Sequence, residues 1–189
     1  MHDRTLALLT FLFFGSELGL ALFRRSRRIL GATPSDGGSL RLLWIVITLA
    51  VTMAFVAAGF RRGRLPFQPI WIRNAALALF AGGLAFRWWA VITLGKFFTV
   101  DVATHGDHAL VSTGPFRYVR HPSYTGLLLA FLGLGVSLGN VFSLLVLMTP
   151  IVVTLSYRMR VEEEALRQSL GADYEAYCAR TKRLIPGVI

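Results

Sequence analysis

Cysteine is nearly absent from this 189-residue chain. Cys178 stands alone, so no disulfide within the chain can staple the fold, and the residue reads as packing. Charge is scarce as well: 16% of residues carry it, against about 25% in soluble domains. With 54% hydrophobic residues and a mean hydropathy of +0.58, the chain has far more apolar surface than a disordered segment tolerates. The composition points to lipid as the solvent. Acidic residues are half as many as basic ones, 10 against 20 Lys+Arg, for a net charge of +10. Such an excess fits either nucleic acid or the basic ends of membrane helices. No nucleic-acid-binding motif accompanies it, so nucleic acid is not an expected partner. There is no internal repeat or low-complexity tract, and no metal is expected.

Long apolar runs are what the chain does have, and a spanning helix needs about 20 such residues. The first runs from about Thr5 to Phe23, interrupted by Glu17 and closed by Arg24-Arg25-Ser26-Arg27-Arg28. Its basic cluster follows the apolar run and no small-residue cleavage site appears, so it reads as a span rather than a signal peptide. A loop at Pro34-Ser35-Asp36-Gly37-Gly38 leads to a second span, about Leu42 to Phe60, stopped by Arg61-Arg62-Gly63-Arg64. A third, about Trp71 to Leu94, contains Arg87, which faces protein or an aqueous cavity, or else snorkels to the interface. Hydrophobicity collapses from Gly95 to Ser123. It returns in two shorter stretches, Tyr124 to Leu138 and Val141 to Tyr157, joined by Gly139-Asn140.

These last stretches read as a helical hairpin whose ends emerge on one side. Beyond it, Leu166, Leu170, Tyr174 and Tyr177 recur at helical spacing, which predicts one amphipathic helix over Arg158 to Arg180. Residues 95–123 and 158–189 then share a face. Placing that face and the 24–41 loop in the cytoplasm puts most of the Lys and Arg inside, as the usual bias requires. The cluster at 61–64 falls outside and runs against the bias. The expectation is an all-α integral membrane protein of about five transmembrane helices, with a cytoplasmic loop and a C-terminal amphipathic helix.

Two polar groups flank the hairpin. The first is Asp107-His108-Ala109-Leu110-Val111-Ser112-Thr113-Gly114-Pro115-Phe116-Arg117-Tyr118-Val119-Arg120-His121-Pro122-Ser123-Tyr124-Thr125-Gly126. Pro122 biases His121 away from helix and suits a first helical position itself. Locally, this is also what an interfacial basic-aromatic belt looks like. The second group is Arg158, Glu162, Glu163 and Glu164, with Arg158 and Glu162 one helical turn apart and able to pair. Three carboxylates at a helix start would suit its dipole and could be a solvated cap.

Taken together, Arg120-His121-Pro122-Ser123-Tyr124-Thr125-Gly126, the apolar hairpin, Arg158…Glu162-Glu163…Leu166…Gly171…Tyr174…Tyr177 and Leu184-Ile185-Pro186 resemble the isoprenylcysteine carboxyl methyltransferase family of integral membrane enzymes, in its prokaryotic type. The resemblance covers roughly Lys96 to Gly187. It implies three N-terminal membrane helices over 1–94 and a methyltransferase core over 95–189, in a prokaryotic inner membrane with the active site facing the cytoplasm. It further implies S-adenosyl-L-methionine as cofactor, with contacts on Asp101, His108, Ala109, Leu110, Val111, Phe116, His121, Pro122, Ser123, Tyr124 and Glu162. Phe116 stands where relatives often have Tyr. Arg158 and Glu162 fall at the catalytic positions, Arg158 beside the acceptor.

The residue types suit that cofactor. A glutamate suits its cationic groups, while aromatic rings suit the adenine and the sulfonium. The chain lacks a GxGxxG fingerprint after a strand, so no Rossmann cofactor domain is expected. The implied reaction is methyl transfer to a lipid-like or prenylated acceptor entering from the bilayer, in first place an isoprenylcysteine carboxylate. A thiol, amine or phospholipid acceptor stays open. So does an NADPH-dependent reductase of sterol-reductase type, although Arg117 and Arg120 offer few cations for a dinucleotide's phosphates.

Overall fold

A computed structural model describes residues 38–66, 68–95 and 110–186, together with Phe11, Phe13, Phe14, Gly15 and Gly19 of the first apolar run, which are helical. The described elements are α1 (Ser39–Gly59), α2 (Ile70–Leu94), a 3-10 turn (Gly114–Arg117), α3 (Pro122–Ser137), α4 (Val141–Leu170) and α5 (Ala172–Arg180). Among the described residues there is no strand, only the isolated bridges Arg64–Asn140 and Val119–Lys182. Helices α1, α2 and α4 are each long and apolar enough to cross a membrane, whereas α3 is a shorter apolar helix. The five-helix expectation rests on the first run, most of which lies outside the described residues.

Why α1 belongs in lipid is visible in its periodicity. Leu43, Ile47, Ala50, Val51 and Ala54 are buried, yet the opposite side exposes Leu42, Ile45, Leu49, Met53 and Val56. A helix apolar on both faces has no water-facing side. Its inner face packs on α4, while α2 packs on α3. Phe13 joins the core formed by α1, α3, α4 and Phe80 of α2, its ring 4.9 Å from that of Phe131, so both halves of the chain share one core.

The α2–α3 contact is made by glycine. A Cβ on Gly133 would lie 2.5 Å from the Ala76 carbonyl oxygen, and one on Gly126 would lie 2.6 Å from the Arg87 nitrogen. Small residues let the backbones meet, which is how membrane helices gain dispersion contacts without a hydrophobic drive. At the hairpin turn Asn140 caps α4 by accepting from the Phe142 and Ser143 N–H groups. It also donates to the carbonyls of Ala57, Phe60 and Arg62, tying the end of α1 to the start of α4.

The structure corrects the reading of the tail. The last span does not stop at Tyr157; α4 runs unbroken for 30 residues to Leu170 and is about 45 Å long, well past a hydrocarbon core of about 30 Å. Arg, Met, Glu, Leu and Ala after Tyr157 are good helix formers and nothing among them breaks the helix. The break comes at Gly171, whose φ of +52° divides the expected single tail helix into the end of α4 and the short α5. Glu162, Glu163 and Glu164 therefore sit deep within a helix instead of at its start, and the dipole argument for them fails.

Candidate active site

The site lies where α4 leaves the apolar layer. Pro122 takes the first position of α3, and His121, with φ −121° and ψ 56°, is the non-helical residue before it. His121 thus turns toward α4 together with Tyr124, the two rings stacked at 5.6 Å and 15°. On α4, helical spacing puts Arg158 and Glu162 on one face, and Glu163 one residue on faces the tail.

Glu162 and Glu163 are neighbours with different surroundings. Glu163 is completely buried: Oε1 accepts from Arg120 Nε at 3.2 Å and lies 3.3 Å from His121 Nε2, and Oε2 accepts from Arg183 Nη2 at 2.6 Å. Charge-assisted bonds of this kind are what make a buried carboxylate tolerable. Pairing with Glu163 in turn raises the Arg183 guanidinium above its ordinary range. Glu162 keeps 19% of its side chain exposed. Its Oε1 accepts from Tyr124 Oη at 2.5 Å and Arg158 Nε at 2.8 Å, and its Oε2 lies 3.6 Å from His121 Nδ1. The His121 ring therefore stands between both carboxylates; neutral, it can donate to only one of them.

Arg158 is 2% exposed. Besides Glu162, its Nη1 donates to Ser39 Oγ at 2.6 Å, so the first turn of α1 closes over it. The tail closes the other side. Arg120 and His121 donate their backbone N–H to the Lys182 and Arg183 carbonyls at 2.7 and 3.0 Å, and Thr125 Oγ1 donates to the Leu184 carbonyl at 2.8 Å. The Arg120 guanidinium reaches the carbonyls of Cys178 and Thr181. Tyr177 Oη donates to the Phe116 carbonyl at 2.7 Å, and burial pushes this phenol up to about 12.

Of the residues expected from sequence, the structure gathers His121, Tyr124, Arg158 and Glu162 in direct contact. Phe116 is buried in the preceding 3-10 turn, and Pro122 starts α3. Ser123 points elsewhere: its hydroxyl accepts from Arg87 Nη1 at 2.7 Å. Arg87, 5% exposed, thereby faces protein, which decides between the readings left open for it. Leu110 and Val111 are half-buried where the chain approaches the 3-10 turn. Asp101, His108 and Ala109 lie outside the described residues. Sequence reasoning had Arg120 and Glu163 in the resembling pattern, next to His121 and Glu162, without giving either a cofactor or acceptor contact; it missed Arg183 and Ser39, which carry no local mark.

Comparison with known proteins points to one family. The family described as "Isoprenylcysteine carboxyl methyltransferase (ICMT) family" matches residues 76–168, which contain the glycine-mediated helix pair and the paired glutamates. Protein-S-isoprenylcysteine O-methyltransferase B of Arabidopsis thaliana is 32% identical over 123 residues, 64% of this chain and 62% of that protein. A probable protein-S-isoprenylcysteine O-methyltransferase of Oryza sativa subsp. indica is 29% identical over 181 residues, 93% of this chain and 91% of that protein. The solved structure of the eukaryotic intramembrane Ras methyltransferase ICMT shares the fold, with a TM-score of 0.60 at 23% identity, over 75% of this chain and 52% of that one. This chain thus spans about three-fifths of the Arabidopsis protein and half of the solved one. Matched by sequence through its central half and by fold through its helices, the chain belongs to the isoprenylcysteine carboxyl methyltransferase family.

Proposed function

We propose that this chain transfers a methyl group from S-adenosyl-L-methionine to the carboxylate of an isoprenylcysteine-type acceptor, at a site on the cytoplasmic side of a prokaryotic inner membrane. One observation carries the reading. Of two adjacent glutamates, Glu163 is saturated by Arg120, Arg183 and His121, which leaves Glu162 as the carboxylate with an open edge. The donor set fits the cofactor: a carboxylate for its cationic groups and the stacked His121 and Tyr124 rings beside it for its aromatic and sulfonium parts. When bound, S-adenosyl-L-methionine supplies a methyl group on a cationic sulfur, open to in-line displacement.

The protein's part is alignment and exclusion of water. A carboxylate acceptor is ionised at neutral pH, so the site needs no general base. Arg158 would hold the acceptor oxygens by charge-assisted hydrogen bonds, and Glu162, 2.8 Å away, would keep the guanidinium fork in place. Arg158 is buried beneath the first turn of α1, and an acceptor would approach it beside the Ser39 contact, which holds the guanidinium in place. That approach is at the first turn of α1, at the depth where a lipid's polar end lies. Asp101, His108, Ala109, Leu110 and Val111 complete the cofactor's surroundings in this reading, within a core comprising residues 95–189.

Calorimetric titration of the detergent-purified chain with S-adenosyl-L-methionine and, separately, with NADPH tests the cofactor. The expected result is binding of the first, weakened about tenfold to a hundredfold in Glu162→Ala, the loss of one charge-assisted bond. Binding of NADPH alone would replace this reading by the reductase one. Absence of methyl transfer to a prenylated cysteine analogue would retire that acceptor.

A further inference from the structure

At the end of the molecule opposite the site, α1 gives way to Phe60-Arg61-Arg62-Gly63-Arg64, and this loop is fastened to the hairpin turn. Leu65 N–H donates to the Gly139 carbonyl at 2.9 Å and Val141 N–H to that of Gly63 at 2.9 Å. Gly63 has φ +79°, and the Phe142 ring lies so close against it that no Cβ would fit. The result is a built, open groove of about 500 Å³ lined by Ala57, Phe60, Arg61, Arg62 and Phe142. Phe60 and Phe142 are 62% and 51% exposed, and both stand at the helix ends where the apolar layer stops.

The groove has two chemistries. Ala57 and the two phenylalanines line it with carbon. Arg61 and Arg62 are exposed at its rim with Arg64 beside them, and no carboxylate pairs with any of the three among the described residues. Unneutralised guanidinium at a headgroup level calls for a phosphate, and an apolar wall continuous with the bilayer calls for an acyl chain. A free phosphate uses only the rim, and an acidic peptide leaves the carbon wall wet. We infer that this groove is a binding site for one anionic phospholipid, its phosphate on Arg61 and Arg62 and an acyl chain along Ala57, Phe60 and Phe142. The site gives a reason for three arginines at the end of the molecule where the charge bias disfavours them. It is independent of the methyl-transfer reading.

Lipid retention tests it. The full chain in detergent is exchanged with phosphatidylglycerol or with phosphatidylcholine of the same acyl composition, and bound lipid is counted by native mass spectrometry. Phosphatidylglycerol is expected to be retained about tenfold or more over phosphatidylcholine, as two guanidiniums at headgroup level imply. The double variant Arg61→Gln/Arg62→Gln should lose that preference, and Arg180→Gln, at the other end of the molecule, should keep it. Ala57→Leu, which narrows the apolar wall while sparing the arginines, should lower phosphatidylglycerol retention several-fold. Equal retention of the two lipids by the unmutated chain, or an unchanged preference in the double variant, overturns the inference. Full competition by water-soluble glycerol phosphate does so as well, because it shows the carbon wall to be idle.

Discussion

Ser39 and Arg158 are 119 positions apart in sequence and 2.6 Å apart in space, the Arg158 guanidinium donating to the Ser39 hydroxyl. Through this bond the first turn of α1 helps set where the arginine on α4 points. Arg158 is held at both ends, by Ser39 at Nη1 and by Glu162 at Nε. The plane of a guanidinium fixed in this way is set by the protein.

Removing the hydroxyl should therefore affect acceptor handling more than cofactor binding. Ser39→Ala is expected to lower methyl transfer about tenfold or more, in line with losing a hydrogen bond to a charged group. Its affinity for S-adenosyl-L-methionine should stay within about twofold, and Ser39→Thr should restore turnover. Parallel measurement of turnover, acceptor KM and cofactor affinity checks this. A fall in thermal stability with the kinetics unchanged would make Ser39 a packing residue alone.

The paired glutamates predict a contrast in stability. Glu163→Gln leaves Arg120 and Arg183 short of a buried counter-charge and should destabilise the protein by about 3–5 kcal/mol. Glu164, 62% exposed, pairs only at the surface, and Glu164→Gln should change stability by less than about 1 kcal/mol. Chemical denaturation of both variants in the same detergent compares them directly.

Close helix contact predicts a second contrast. A methyl group on Gly133 meets the Ala76 carbonyl and the Phe80 nitrogen, so Gly133→Ala should cost about 1–3 kcal/mol through overpacking. Gly82 lies on the same helix pair with nothing within 4 Å of its Cβ direction. Gly82→Ala should be neutral or stabilise by up to about 1 kcal/mol through helix propensity. Thermal unfolding of the two variants checks both signs.

Orientation is open to labelling in intact cells. In a Cys178→Ser background, Asp36→Cys and Asp107→Cys should be protected from a membrane-impermeant maleimide, and Arg62→Cys should react. Reaction at position 107 from outside would invert the proposed topology and move the active site to the outer face.

The apolar helices from residue 38 onward and the hairpin turn were legible from the sequence alone, because membrane length and helical period are local properties. The same period placed Arg158 against Glu162 four residues later, and the Gly-Asn turn marked the hairpin. The end of α4 was misjudged for a local reason too: a change from apolar to charged residues marks the edge of lipid, whereas a helix ends only where its backbone does, at Gly171. The division of labour between Glu162 and Glu163 needed the tertiary structure. Nothing in a run of three glutamates says which one meets Arg120 and Arg183 and which keeps an open edge. That depends on the tail folding back over His121, and on Ser39 arriving from the far end of α1. Contacts between segments so distant in sequence are chosen by how the helices pack, here by glycines that let α2 and α3 touch and by Asn140 binding α1 to α4. Sequence determined what could be a helix and which residue types were at hand; packing decided which charges were buried, and so which carboxylate was left with an open edge.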